Sequence, residues 1–215
     1  MKTVLYVEAS PRKSRSASIE VARAFTDTLM ATAPGLRIDV LDVWNTPLPE
    51  FDGAVLQAKY AGLEGRERTD DEIAAWRRIS ALGDRFKAAD LLLFGIPAWN
   101  WSIPYKLKHL IDVVSQKDVL FTFDERGLNG LLTDRRALCI YARGVDYGSG
   151  SSFEGWDHQK PYMETWLRSI GVTMVDTIIV EKTLMGPDAD GRSREAACEQ
   201  ARGLARRLAN WERAG

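Results

Sequence analysis

The 215-residue sequence contains only two cysteines and two histidines. Cys139 in "ALCIYA" and Cys198 in "EAACEQA" have no cysteine or histidine at metal-ligand spacing, so both read as small buried hydrophobes and no zinc site is expected. An excess of charge of one sign is missing too, with 29 basic against 30 acidic side chains. That balance lacks the concentrated basic face of a nucleic-acid-binding protein. It also argues against docking through a strongly acidic face. No apolar run approaches the ~20 residues of a membrane span, and the opening "MKTVLYVEASP" turns polar too early for a secretory leader. A cytoplasmic location, without membrane or nucleic-acid partner, is expected. Glycine-rich phosphate motifs are absent, both G-x-G-x-x-G and G-x-x-x-x-G-K-[ST]. So is the G-x-S-x-G setting of a nucleophilic serine.

What the chain does have is a regular alternation. The composition, 45% hydrophobic and 27% charged, suits one globular domain over residues 1–215. A chain of this length can bury roughly 70% of its unfolded surface without staples. Five apolar runs read as strands: "TVLYVEA" (3–9), "LRIDVLDV" (36–43), "DLLLFGI" (90–96), "RALCIYA" (136–142) and "MVDTIIVE" (174–181). The first, third and fourth are nearly continuous, as in central strands covered on both faces, and the second alternates as near an edge. Helical spacing fills the gaps at 17–31, 70–88, 102–115, 158–170 and 192–211, with Tyr162, Trp166 and Ile170 forming one such stripe. This pattern predicts an α/β fold: a flavodoxin-like open five-stranded parallel sheet, order 2-1-3-4-5, with helices on both faces. Residues 44–69 and 116–135 are left as long connections. Their apolar residues, Trp44, Leu48, Phe51, Val119, Leu120, Phe121 and Phe123 among them, call for a partner surface or a site wall.

In such a sheet ligands bind beyond the carboxyl ends of the strands. The loop after strand one, "EASPRKSRSAS", has four serines and three basic residues and no glycine. Ser10, Ser16 and Ser18 with the free amides of a helix starting near Ala17 have the chemistry of an anion site; simple helix capping is the alternative. The loop after strand three, "GIPAWNWS", presents Asn100 between Trp99 and Trp101. Those groups suit the polar edge and the faces of a planar heteroaromatic ring, or else the indoles pack on the long loops or a subunit interface. Pro97 ends the strand there, and Ser102 can cap the next helix. The loop after strand four, "YARGVDYGSG", places Arg143 and Gly144 at the same end. One compact anion loop beside a planar-ring pocket describes a flavin mononucleotide (FMN) site.

The stretch "PAWNWSIPYKLKHLIDVVSQKDVLFTF" is similar to the P-M-Y-N-F-x-I-P-x-x-L-K-x-x-x-D segment, with its following G-x-T-F-x-Y, of the FMN-dependent NADH-azoreductases, also described as NADH:quinone oxidoreductases. The resemblance covers nearly the whole chain. It implies that Ser10, Ser16, Ala17 and Ser18 hold the FMN phosphate. Pro97, Ala98, Trp99, Asn100 and Trp101 then hold the flavin ring, with Ala142, Arg143, Gly144 and Val145 as the second ring loop. This chain departs from the family pattern where Ala142 offers no hydroxyl, where Val145 replaces a glycine, and where two tryptophans replace a tyrosine and a phenylalanine.

The resemblance also implies a homodimer with two sites at its interface, NADH as donor, and quinones or azo compounds as planar acceptors, in a ping-pong sequence. The flavin N5 would carry the hydride, so no catalytic side chain and no metal is expected. Phe121 and Phe123, supplied by the partner subunit, with Tyr147 and Trp166, are the expected substrate walls. The two phenylalanines alternatively anchor their own loop. Arg143 has two equal readings, steering an anionic substrate or pairing with a carboxylate. His109 reads as a packing residue, and His158 falls near the pocket. A flavodoxin-like electron carrier and a non-catalytic flavin-binding protein are the alternatives; a carrier usually has an acidic docking face and a threonine-rich phosphate loop, and this chain has neither.

Overall fold

A computed structural model describes residues 1–211. Strand β1 (Thr3–Glu8) lies between β2 (Arg37–Asp42) and β3 (Leu91–Pro97), and β6 (Arg136–Ala142) and β7 (Met174–Val180) continue the sheet. All four pairings are parallel, in the order β2-β1-β3-β6-β7. This is the expected 2-1-3-4-5 once the intervening hairpin, β4 (Phe121–Asp124) with β5 (Gly127–Gly130), is set apart as a two-stranded sheet. The edge position of β2 explains its alternation: Leu41 is buried while Val40 is about half exposed.

The continuous apolar runs divide by residue parity. Leu5, Val7, Leu92, Phe94, Cys139 and Tyr141 join a cluster with α3 (Asp70–Ala88), α4 (Tyr105–Val114) and α5 (Gln159–Ser169). Val4, Tyr6, Leu91, Leu93, Leu138 and Ile140 join a second cluster with α1 (Ala17–Thr32) and α6 (Pro187–Leu208). Cys139 and Cys198 are both free and buried among these residues, and burial raises both thiols above their ordinary range.

Both long connections contain structure. Asp52 caps α2 (Gly53–Glu64), its carboxylate accepting from Val55 N, and α2 ends on left-handed Gly65. Val55, Ala58 and Ala61 bury one side of α2. Arg68 donates to Ala58 O and lays its guanidinium over Trp76 of α3, 4.6 Å from the ring centre. Trp44, Leu48 and Phe51 pack on the first cluster, and Val119 and Leu120 are buried within it. The apolar content of these segments is therefore largely covered within the chain, and does not by itself demand a partner. The short apolar period of α2 was hidden by its flanking polar residues.

Helix starts differ from expectation at two places. Helix α6 begins at Pro187 rather than near 192, because Gly186 turns at φ 95° and proline occupies the first turn. Helix α4 begins at Tyr105 with Pro104 as its N-cap, so Ser102 does not cap it. Trp166 also departs from its expected role. It is 5% exposed, its ring meets Phe86 and Phe94 edge-on at 6.2 and 5.8 Å, and its Nε1 donates to Ser115 Oγ. It is a core residue under the sheet, not a substrate wall; its helical stripe is a packing stripe.

This assignment is testable. Trp166→Ala should lose about 3–5 kcal/mol of stability in urea unfolding. Trp166→Phe keeps a ring against Phe86 and Phe94 and should lose far less. Equal stability of the alanine variant and the wild type would remove Trp166 from the core.

Candidate functional site

Glu8, Pro97 and Ala142 end three adjacent strands, and register pairs Glu8 with Gly95 and Pro97 with Ala142. The three predicted loops therefore leave the sheet side by side. Helix α1 starts close over this end, beside Gly95. A Cβ there would come within 3.2 Å of the Tyr6 hydroxyl and 3.5 Å of Ser18 O. A strand-interior glycine is a signal of such close approach, and it was available in "LLLFGIP".

The first turn of α1 faces a cavity of about 130 Å³ whose walls include Ser10, Arg12, Ser16 and Ala17. The amides of Ala17 and Ser18 have no intrahelical acceptor, and the helix dipole favours an anion before them. Ser16 is the N-cap: its Oγ accepts from Ile19 N and lies 3.1 Å from Ser18 Oγ. Ser10 Oγ accepts from Arg12 N at 3.4 Å, which leaves its own proton for a ligand. Ser18 is fully buried and backs Ser16 rather than lining the cavity. Capping and anion binding are thus compatible uses of one serine.

The opposite wall comes from the second and third loops, Pro97, Ala98, Trp99, Ala142 and Gly144. Ala98 N donates to Ala142 O at 2.7 Å, which locks these loops together. The cavity is completed by Thr183, Leu184 and Arg194, which sequence reading missed. They follow the fifth strand, whose carboxyl end obeys the same rule as the other three. Leu184 packs on Gly144, where a Cβ would come within 2.6 Å of its side chain. Thr183 Oγ1 donates to Arg143 O, and Arg194 is held by Glu20 and Asp190 at 2.7 and 2.6 Å.

The tryptophan loop is a tight reversal. Trp99 and Ser102 exchange two backbone hydrogen bonds of 2.9 and 3.0 Å, around Asn100 and Trp101 at φ 45° and 67°. Two consecutive left-handed residues define a type I′ turn. Asparagine tolerates that conformation; tryptophan there is strained by about 1–3 kcal/mol, a feature that concentrates at functional sites. The indoles diverge. Trp99 packs with Trp44 and Tyr105 at 5.4 and 6.2 Å, and borders both the anion cavity and a second hollow of about 410 Å³. Asn100, Ile103, Tyr105 and Tyr162 line that hollow. Trp101 instead meets Trp156 at 5.3 Å, and its carbonyl accepts from His158 N at 3.0 Å. Each indole has a packing partner, and Trp99 borders the cavity as well.

Arg143 resolves toward the carboxylate. Its side chain is 4% exposed and turned inward, with Nη2 2.5 Å from Asp157 Oδ2 and Nε 3.3 Å from Gln159 Oε1. Gln159 in turn donates to Ile96 O at 3.0 Å. The guanidinium is committed to this buried network, so only the backbone of Arg143 faces the loops around the cavity. Tyr147 lies over that guanidinium, 5.0 Å from its ring centre, and Val145 is half-buried beside it outside the cavity wall. His109 lines neither hollow, and its Nε2 lies 2.8 Å from Pro49 O. His158 is exposed. Phe121 and Phe123 meet edge-on at 5.4 Å in the β4–β5 hairpin. That hairpin lies by the amino ends of the strands: Lys87 donates to Asp118 O, and Gly130 abuts Gly171. Neither phenylalanine reaches the cavity of its own chain. Among the described residues no group of histidine, cysteine or acidic side chains is arranged to hold a metal.

Adjacent strand ends, a serine-lined cavity at the first turn of α1 and an aromatic hollow across Trp99 suit a flavodoxin-like cofactor-binding protein, and residues 2–204 match the family of the flavodoxin-like fold. The chain is 54% identical over 210 residues to an FMN-dependent NADH:quinone oxidoreductase of Burkholderia lata, covering 96% of this chain and 99% of that one. A second such protein, from Pseudomonas fluorescens, is 47% identical over 212 residues, covering 97% and 98%. Among solved structures, an FMN-dependent NADH-azoreductase of Bacillus anthracis in complex with FMN superposes with a TM-score of 0.88 at 26% identity, covering 98% of this chain and all of that one. The chain belongs to the family of FMN-dependent NADH:quinone oxidoreductases and NADH-azoreductases.

The donor set fits FMN: hydroxyls, helix amides and Arg12 for a phosphate, and a polar-edged aromatic wall for a ring. Ser16→Ala should weaken FMN binding by roughly tenfold, the loss of one hydrogen bond to a charged oxygen. Ser18→Ala, which removes only the backing hydroxyl, should weaken it less. Flavin-fluorescence titration of the full chain reads both constants, and unchanged affinity in Ser16→Ala would move the phosphate elsewhere.

Proposed function

We propose that the protein is an FMN-dependent NADH oxidoreductase that passes electron pairs to quinones and azo compounds in two alternating half-reactions. The observation that carries this reading is the anion cradle at the first turn of α1, joined across Trp99 to an aromatic hollow. Bound FMN supplies the hydride chemistry. The chain's contribution is binding, orientation and exclusion of water. Ser10, Ser16, Ala17 and Arg12 hold the phosphate, with Ser18 behind them. Pro97 to Trp101, with Ala142, Gly144 and the backbone at Arg143 and Val145, hold the ring. Asn100 offers a donor and an acceptor to a heterocycle edge. Trp99 and Tyr105 make the walls of a slot for flat substrates. Lys108, the cation beside the hollow, is held by both oxygens of Asp112 at 2.5 and 2.7 Å; the hydride chemistry belongs to bound FMN, and no side chain is assigned a proton-transfer role. Substrate protons come from solvent.

The same reading extends to a homodimer. Exposed Tyr105, Phe123, Leu128 and Leu131 support it. So does the hairpin's distance from its own site: only a second copy brings Phe121 and Phe123 to a substrate. Tyr147 then borders the open side of the site from its own chain. Alternation of strand residues between the two apolar clusters supports helices on both faces of one domain; residues 212–215 of that domain lie outside the described residues. No described helix is long and apolar enough to cross a membrane, and a cytoplasmic location accords with that.

Steady-state kinetics test the reading. The full chain with FMN should oxidise NADH catalytically when a quinone or an azo dye is added, with parallel double-reciprocal lines. Flavin binding without turnover would favour an electron carrier or a non-catalytic flavoprotein. Trp99→Ala should leave the fold intact by circular dichroism and change kcat/KM for the acceptor by widening the slot. Sedimentation equilibrium should give twice the 24.1 kDa chain mass, and a fully active monomer would overturn the homodimer.

A further inference from the structure

The anion loop contains a residue in a conformation that its side chain does not favour. Lys13 opens the short helical turn Lys13–Arg15 at φ 49°. A left-handed lysine is sterically penalised, and no glycine or asparagine occupies the position instead. Two carboxylates compensate. Lys13 Nζ lies 2.6 Å from Glu8 Oε1 and 2.5 Å from Asp42 Oδ2. Glu8 and Asp42 are register partners at the ends of β1 and β2, so the sheet itself sets them side by side. Lys13 also presents its carbonyl to Ser16 N at 3.0 Å, which fixes the N-cap of α1.

This placement has an electrostatic consequence. Two adjacent carboxylates stand at the strand ends from which the cradle loop departs, and the cradle is built for an anion. Left uncompensated, they would oppose a bound phosphate. Asp42 reaches further still. Its carboxylate accepts from Trp44 N at 3.0 Å and Asn45 Nδ2 at 2.6 Å, and Trp44 donates through Nε1 to Ala9 O while packing on Trp99. Burial and the two acidic partners act oppositely on the ammonium, and the partners prevail, holding its pKa above the ordinary lysine value.

We infer that Lys13 is a positioning residue for phosphate recognition: by neutralising Glu8 and Asp42 and fixing the turn before Ser16, it makes the cradle receptive to an anion. This rests on the proposed FMN site and deepens it. The step is one of binding alone, so the test is equilibrium titration of the full chain with FMN and, separately, with riboflavin, which has the same ring and no phosphate.

Lys13→Met should weaken FMN binding by about tenfold or more and leave riboflavin binding unchanged. Lys13→Arg should restore FMN binding, since a guanidinium can reach both carboxylates. Lys13→Met combined with Glu8→Gln and Asp42→Asn should recover part of the loss by removing the repulsion. Equal weakening of FMN and riboflavin in Lys13→Met would make the residue merely structural and overturn the inference, as would unchanged FMN affinity. A wild-type chain that binds riboflavin as tightly as FMN would instead overturn the phosphate site itself.

Discussion

The close approach of α1 to the end of the sheet, over Gly95, is the contact around which the site is arranged. A methyl there would press on the Tyr6 hydroxyl at 3.2 Å and already touch Ser18 O at 3.5 Å. With α1 seated, its unpaired amides, the Ser16 cap and the departing end of β1 converge on one small cavity. In the proposed FMN site, anion recognition would thus rest largely on the main chain at the first turn of α1. Side chains supply the remainder: the hydroxyls of Ser10 and Ser16 and the positive charge of Arg12. The arrangement needs no glycine-rich loop, because the close approach that glycines provide elsewhere in a loop is here provided from the strand beneath.

The two indoles around Asn100 serve different neighbours although they are two residues apart. A type I′ turn sends them to opposite sides. Trp99 closes an aromatic wall with Trp44 and Tyr105, and Trp101 supports the segment that carries Trp156 and His158. Packing and ligand contact are not competing explanations for Trp99. A wall that must stay rigid beside a cavity needs packing on its far side, and Trp44, tied to Ala9 O, supplies it.

The sheet was legible because its strands are covered by runs of apolar residues whose length and order leave few alternatives. The strand-end rule then brought Ser10, Ser16, Pro97, Trp99 and Gly144 together without any contact information. What the sequence concealed has physical reasons. Helix α2 buries only Val55, Ala58 and Ala61, two of them small, so its inner face carries little apolar signal. Thr183 lies in the turn after the last strand and Arg194 on the first turns of α6, neither in a recognisable motif. The inward turn of Arg143 depends on Asp157 and Gln159, far along the chain, which no local pattern reveals. Trp166 shows the reverse error: an aromatic at helical spacing was given a ligand when Phe86 and Phe94 were its neighbours.

The Arg143 network also bears on how such a chain can diversify. Arg143 and Asp157, fourteen positions apart, clamp the two ends of the segment between them, and Gln159 ties the clamp to the central strand. Within the clamp, Tyr147 lies over Arg143 and Trp156 packs on Trp101, so the residues between those two aromatics form an appendage whose ends are already fixed. Doubling the length of such an appendage raises its closure entropy cost by only about 0.6 kcal/mol. Residues 148–155, mostly small, polar and exposed, can thus lengthen, shorten or change character without disturbing the strand ends. Lineages carrying this clamp can remodel the approach to the site while the cofactor cradle stays as it is.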